Sequence, residues 1–166
     1  MVGNCYKIGP KSVVSLPNLS IEKAASSSGV FNNALFVTGG YRTGGSLSAT
    51  EYISEDKQQN GVSMPVNLEH HCVIQVNLNE ILVTGGVGAN QKDTFFFKND
   101  LQQWEKGPQM AKTRYRHGCG SFYLKNKLVL IVASDKSGDE RSVEFLLPNE
   151  IEPKWIAGTN LFTDNF

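Results

Sequence analysis

The chain has 166 residues, with 16 basic and 16 acidic side chains and hence no formal net charge. This balance gives no reason to expect a nucleic acid or an anionic membrane as the partner. The longest uninterrupted apolar run, 128–133, is far shorter than the roughly 20 residues that a helix needs to span a bilayer, and residues 1–7 show no apolar core of a signal peptide. We therefore expect an intracellular protein without a membrane span.

The N-terminal segment, residues 5–17, is predicted to form one outer strand that ends at Leu16-Pro17. The unit that follows, residues 18–65, begins with small side chains over 24–31. These predict a strand in a crowded interior, with a flexible serine-rich linker as the alternative. Further strands of this unit are predicted at 34–38, at 49–53 and in a segment that runs into Ser63-Met64.

Two more units of the same kind follow, residues 66–110 and 111–162. No segment has a sustained apolar period of 3.6 residues, so the fold class is all-β with essentially no α-helix. In the second unit strands are predicted at 72–76, 80–84, 93–97 and 103–105, and in the third at 118–124, 127–133, 141–146 and 154–156.

The units are related by a repeated apolar strand that ends in a pair of glycines. The sequence 35–40 recurs at 81–86, a step of 46 residues, and 129–134 matches it with Ala133-Ser134 in place of the glycines. A second signature, the Trp-x-x-Gly-Pro-x-Met of 104–110, recurs at 155–161 and, without its tryptophan, at 58–64. Ordered recurrence of two signatures indicates a repeat protein.

A unit of this length with these two signatures resembles a kelch repeat, one blade of a β-propeller. The resemblance implies a partial kelch-type β-propeller of about three four-stranded antiparallel blades plus one N-terminal outer strand. The small side chains of 24–31 suit an innermost strand beside a narrow channel. Propellers usually close with four to eight blades, so an array of about three is expected to be part of a longer propeller or to associate with other copies of itself.

Eight residues are expected to have structural roles in the repeat. The glycines are expected at turns that need positive φ, and the aromatic side chains between neighbouring blades. They are Gly39, Gly40, Gly85, Gly86, Tyr52, Phe96, Trp104 and Trp155.

Histidine and cysteine cluster at the start of two predicted innermost strands, as His70-His71-Cys72 and as His117 with Cys119. Imidazole and thiolate are zinc ligands, but buried structural roles are the more common use of such residues, and we expect no metal or cofactor. A Cys72–Cys119 disulfide is a third alternative. Because the cysteines are odd in number and no leader precedes them, free thiols are favoured.

The resemblance also implies a function, since kelch propellers typically serve as non-catalytic platforms that bind proteins through loops on one face. The competing class of protein is a metal-binding or galactose-oxidase-like enzymatic propeller. The tyrosine–cysteine pair of such enzymes cannot be identified in this sequence. Clustered arginines predict an acidic or carboxylate-bearing peptide as the partner; each candidate has an ordinary solvated loop residue as its alternative. The candidate partner-binding residues are Tyr41, Arg42, His70, Asn90, Arg114, Tyr115, Arg116 and Lys136.

Overall fold

A computed structural model describes residues 3–31, 33–88, 91–134 and 141–161. Within these ranges the chain forms 16 strands and no helix. These residues therefore contain no helix long enough to cross a membrane. The strands are β1 (Cys5–Gly9), β2 (Ser12–Leu16), β3 (Ser27–Phe31), β4 (Ala34–Thr38), β5 (Tyr41–Arg42), β6 (Gly45–Ser46), β7 (Thr50–Ile53), β8 (Gln58–Asn60), β9 (Cys72–Asn77), β10 (Glu80–Thr84), β11 (Thr94–Lys98), β12 (Gln103–Lys106), β13 (Gly118–Leu124), β14 (Lys127–Ala133), β15 (Val143–Leu146) and β16 (Ile156–Ala157).

The predicted all-β class is confirmed by three four-stranded antiparallel sheets. We call them blade 1 (β3, β4, β7 and β8), blade 2 (β9 to β12) and blade 3 (β13 to β16). In each blade the spatial order follows the chain, so the first strand is innermost and the fourth is at the outer edge. Four strands, β4, β10, β13 and β14, have the bounds that the sequence predicted.

The fourth strand of blade 1 differs from the prediction. It was expected to run into Ser63-Met64, but β8 spans Gln58–Asn60. The Ser54 N–H donates to the Lys57 carbonyl at 3.0 Å, and this tight turn lets Gln58 pair with Ile53 at once. The polar segment 58–60 is therefore the outer strand of blade 1, because turn geometry rather than apolar content sets where pairing resumes.

The N-terminal segment also needs correction, because residues 5–17 form two strands and not one. Strands β1 and β2 make a separate two-stranded sheet in which Gly9 pairs with Ser12 around a tight turn. Proline at position 10 presets the backbone angle that such a turn requires. The hairpin lies beside blade 1, where Lys7 forms an ion pair with Glu55.

A second small hairpin lies in the connection between the second and third strands of blade 1. Tyr41 pairs with Ser46 and Arg42 with Gly45, which gives the two-residue strands β5 and β6. Gly44 and Gly45 have φ of +112° and +127°, a backbone region that glycine adopts without steric cost.

The blades are stacked through two cores of different composition. The core between blades 1 and 2, the first interface, is rich in aromatic rings, with Phe36 and Phe97 stacked at a centroid distance of 5.0 Å. The core between blades 2 and 3, the second interface, is mainly aliphatic and includes Leu82, Leu130 and Trp155. Both cores bury the faces that a single blade could not cover alone.

The glycine pairs hold equivalent close contacts in blades 1 and 2. A Cβ at Gly39 would lie 2.4 Å from the Leu68 carbonyl oxygen, and one at Gly85 would lie 2.3 Å from that of Arg114. Both glycines have positive φ, +54° and +57°. In blade 3 the equivalent of Gly39 and Gly85 is Ser134, since each of the three donates its N–H to the residue that precedes the third strand.

Candidate functional site

The predicted partner-binding residues centre on one edge of the array, where the chain enters each innermost strand. There the His70 N–H donates to the Ala25 carbonyl and the Arg116 N–H to the His70 carbonyl, each at 2.9 Å. Ala25, His70 and Arg116 all have φ of about +55°, which is costly for residues with a Cβ and persists only where surrounding structure holds it. These bonds tie the three blades together along this edge.

The turns that follow the second strands join the same edge. Tyr41 and Ala24 exchange two backbone hydrogen bonds, of 2.7 and 2.9 Å, and Val87 and Glu69 exchange two of 2.8 and 3.1 Å. We call this edge the loop face and define it as residues 24–25, 41–46, 69–70, 87–88 and 115–116. Five of the candidates, Tyr41, Arg42, His70, Tyr115 and Arg116, lie on it.

The loop face presents aromatic and cationic side chains. Tyr41 and Arg42 are exposed on the β5–β6 hairpin. Arg116 is exposed, and its Nη2 lies 3.1 Å from Nε2 of His70, while Tyr115 is half-buried. The candidates Asn90 and Lys136 fall outside the described residues.

Arg114 is a correction, because this candidate is fully buried. Its guanidinium donates to Glu144 at 3.0 Å and to the Ser134 and Ser142 carbonyls at 2.8 and 3.2 Å. Of the clustered arginines in the sequence, Arg116 is therefore at the surface and Arg114 is not. Arg114 anchors the chain beneath the loop face and is not available to a partner.

Glu144 is a buried structural anchor that the sequence analysis did not single out. Its carboxylate accepts the backbone N–H groups of Ala111 and Lys112 at 2.7 and 3.1 Å, so it fixes the whole segment that leads to the loop face. Blade 1 repeats the arrangement with Glu51, which accepts the Ser20 N–H at 2.6 Å and pairs with the buried Lys23 at 2.7 Å. Burial alone would raise the pKa of Glu51, but hydrogen bonds from Lys23 and Ser20 outweigh it and hold that pKa below its usual range.

Two equivalent histidines lie just inside the loop face. Nε2 of His71 is 2.8 Å from the Thr38 hydroxyl, and Nε2 of His117 is 2.8 Å from the Thr84 hydroxyl. Burial, with the nearby His117 and His70, lowers the pKa of His71 to about 4, so this ring is neutral at physiological pH. The backbone and side-chain hydrogen bonds make His71 equivalent to His117 and His70 equivalent to Arg116.

The expected free thiols are wrong for two of the three cysteines, because Cys72 and Cys119 form a disulfide with a Cα–Cα distance of 6.1 Å. It links innermost strands β9 and β13 across the second interface. At the first interface the equivalent place holds a hydrogen bond from the Val73 N–H to the Ser27 hydroxyl, 3.1 Å long. The sequence left the disulfide as one alternative, since only the stacking of neighbouring blades brings the two strands together.

Because Cys72 and Cys119 form this disulfide, they have no free thiolate with which to bind zinc. Across the part of the chain that the structure describes, no group of three or more histidine, cysteine, aspartate or glutamate side chains is placed to hold a metal ion.

The aromatic repeat residues lie away from the loop face, between the blades. The indole N–H of Trp104 donates to the Val62 carbonyl and that of Trp155 to the Pro108 carbonyl, each at 3.0 Å. Tyr52 packs against the first core and donates its hydroxyl to Asn99 at 2.8 Å, while Phe96 packs against the second core. These four side chains thus contact neighbouring structure at the interfaces.

Comparison with solved structures gives a similar fold. The structure of YjhT, a kelch-repeat propeller, superposes on 96% of this chain with a TM-score of 0.75 and 16% sequence identity. The fold is that of a partial kelch-type β-propeller. The chain spans 59% of the length of YjhT. No protein-family model matches this propeller chain, and no curated protein matches it.

Proposed function

We propose that this chain is a kelch-repeat protein whose loop face is a non-catalytic platform for binding a protein or peptide. The observation that carries the proposal is the hydrogen-bonded edge that links the three blades through Ala25, His70 and Arg116. Side chains held on a rigid scaffold lose little conformational entropy when a partner binds. The loop face is therefore preorganised for recognition.

The chemistry of the loop face favours an acidic or carboxylate-bearing peptide. Arg42 and Arg116 are both exposed there, and arginine forms strong, directional hydrogen bonds with carboxylates. Tyr41 adds an exposed ring beside Arg42. Tyrosine and arginine are the residue types most often found at binding hot spots.

The test is an array of immobilised 12-residue peptides of acidic, neutral and basic composition, probed with the full chain. We expect the acidic peptides to be retained. Replacement of Arg42 and Arg116 together by alanine should weaken their binding by about 2 kcal/mol, or roughly thirtyfold, without a change in the β-type circular dichroism.

A matched control removes two positive charges from the opposite edge, with Lys57 and Lys127 replaced by alanine. Lys57 lies in the β7–β8 turn and Lys127 at the start of β14. This control should bind like the unmodified chain. Equal affinity of the arginine variant and the unmodified chain, or binding that ignores peptide charge, contradicts the proposal.

A further inference from the structure

The first and second interfaces share one arrangement of apolar side chains. The same arrangement predicts that the side of blade 3 facing away from blade 2 is also a contact surface. Each blade contacts the blade that follows it in the chain through one face of its sheet, which we call the trailing face. This face is formed by the end of the first strand and the middle of the second strand. In blade 1 this face includes Phe31 and Phe36, and in blade 2 Val76 and Leu82. All four are at most 6% exposed.

The trailing face of blade 3 has a similar composition but is more exposed among the described residues. The pairing of β13 with β14 and of β14 with β15 places Phe122, Ile131 and Phe145 at the equivalent positions. Phe122 is 41% exposed, against 1% for Phe31 in blade 1. Ile131 and Phe145 are only partly buried. The surface is thus built to receive another sheet, as the trailing faces of blades 1 and 2 do.

The other end of the array carries a matching apolar surface on the β1–β2 hairpin. Side chains alternate between the two faces of a strand, so Ile8 and its partner Val13 share one face with Tyr6. Ile8 is 79% and Val13 is 67% exposed. Leu16 and Lys7 occupy the opposite face, and together with Tyr6 they line a groove beside Leu35 and Ile53 of blade 1.

The hairpin therefore lies where a preceding blade would lie. Its inner face borders a groove that separates it from blade 1, and its outer face is turned away from blade 1. Leu78 and Leu101, which are 82% and 61% exposed, are in contrast single turn residues and do not belong to a sheet surface.

We propose that the trailing face of blade 3 binds the β1–β2 hairpin of a second copy of this chain. The contact is head to tail, so one copy contributes its C-terminal blade and the other its N-terminal hairpin. Such a heterologous contact leaves one free face at each end and extends into larger assemblies unless the rotation closes a ring. The contact uses no residue of the loop face and stands apart from the proposed function.

Sedimentation velocity and light scattering of the full chain over a range of concentrations test this contact. The unmodified chain should gain mass with concentration. Ile8 and Val13 both replaced by glutamate disable the hairpin, and Phe122→Glu disables the trailing face. Each variant should raise the apparent dissociation constant at least about tenfold, because a buried carboxylate without a partner is strongly disfavoured.

Mixing the two variants gives the sharpest result. Each retains the face that the other lacks, so an equimolar mixture should form a dimer and nothing larger. Leu78→Glu and Leu101→Glu serve as matched controls and should associate like the unmodified chain. If circular dichroism shows that a glutamate variant is unfolded, threonine replaces glutamate at the same positions, since threonine suits a strand.

Three results would overturn the contact. A chain that stays monomeric at every concentration has no such interface. A hairpin variant that still dimerises points to a symmetric contact between two trailing faces. Controls that abolish association as strongly as the variants indicate nonspecific apolar adhesion.

Discussion

The first and second interfaces have the same backbone geometry but are held by different chemistry. At the first, stacked rings of Phe36 and Phe97 form the core, and a Ser27–Val73 hydrogen bond links the innermost strands. At the second, the core is aliphatic and the Cys72–Cys119 disulfide replaces that hydrogen bond. The fold thus determines where neighbouring blades contact each other, but different types of interaction can stabilise that contact.

The buried ion pair of Arg114 with Glu144 is another interaction that differs between equivalent positions of the blades. The positions of Arg114 and Glu144 in blade 3 are held in blade 2 by Leu68 and Phe95, both buried. Blade 2 also has Pro65 where blade 3 has Ala111, and proline has no N–H to donate to a carboxylate. The cation, the carboxylate and the N–H donor at the position of Ala111 are thus present together in blade 3 and absent together in blade 2.

The largest expected effect concerns the disulfide, which closes a loop over a sequence separation of 47 residues. Replacement of Cys72 and Cys119 by serine should lower the free energy of unfolding by about 4 kcal/mol, chiefly by freeing the unfolded chain. Urea unfolding followed by tryptophan fluorescence measures the change. Dithiothreitol should destabilise the unmodified chain similarly and leave the serine variant unaffected, and an equal response of the two chains would count against the account.

A smaller loss is expected for Glu144→Gln, which leaves the Arg114 charge buried without a counter-charge. The expected loss is about 3 kcal/mol in urea unfolding. The matched variant copies blade 2 at three positions, with Ala111→Pro, Arg114→Leu and Glu144→Phe. Because buried ion pairs are often replaceable by apolar groups at little cost, this variant should be more stable than Glu144→Gln. A triple variant that is less stable than Glu144→Gln would show that the ionic residues of blade 3 and the apolar residues of blade 2 are not interchangeable.

The smallest effect is a dependence of stability on pH. His71 has a pKa of about 4 in the folded chain, against about 6.5 when unfolded, so the unfolded chain binds more protons between these values. The stability from neutral His71 is complete above about pH 6.5 and falls as the pH decreases toward 4, by about 2 kcal/mol at pH 5. Urea midpoints at pH 5 and 7.5 measure it.

The matched control for the pH effect is His71→Ser, since blade 1 has Ser26 at the equivalent position. This variant should show a shallower pH dependence than the unmodified chain. An unchanged slope would assign the effect to other groups.

Much of the fold follows from the sequence, because apolar strands bounded by glycine or asparagine turns carry a local signal. The strands at 80–84 and 127–133 have their predicted bounds for this reason. Strand β8 was missed, since its polar residues carry no apolar pattern and are paired only through the turn before them.

The site was less predictable, because burial depends on which blades become neighbours. Arg114 and Arg116 are two positions apart and look alike in the sequence, yet one is fully buried and the other exposed. The signal that distinguishes them is the recurrence of a glutamate in the third strands, Glu51 and Glu144, each matched by a cation before the first strand. Recognising that pair requires the register between blades, which the structure supplies.

The most direct test of the difference between the two interfaces is hydrogen–deuterium exchange of the full chain, compared before and after reduction. Reduction removes the covalent link between β9 and β13 and leaves the aromatic core of the first interface intact. The account predicts faster exchange in β13 and β14, with little change in β3 and β4. Equal acceleration in blades 1 and 3, or none in either, would contradict the claim that the disulfide specifically stabilises the second interface.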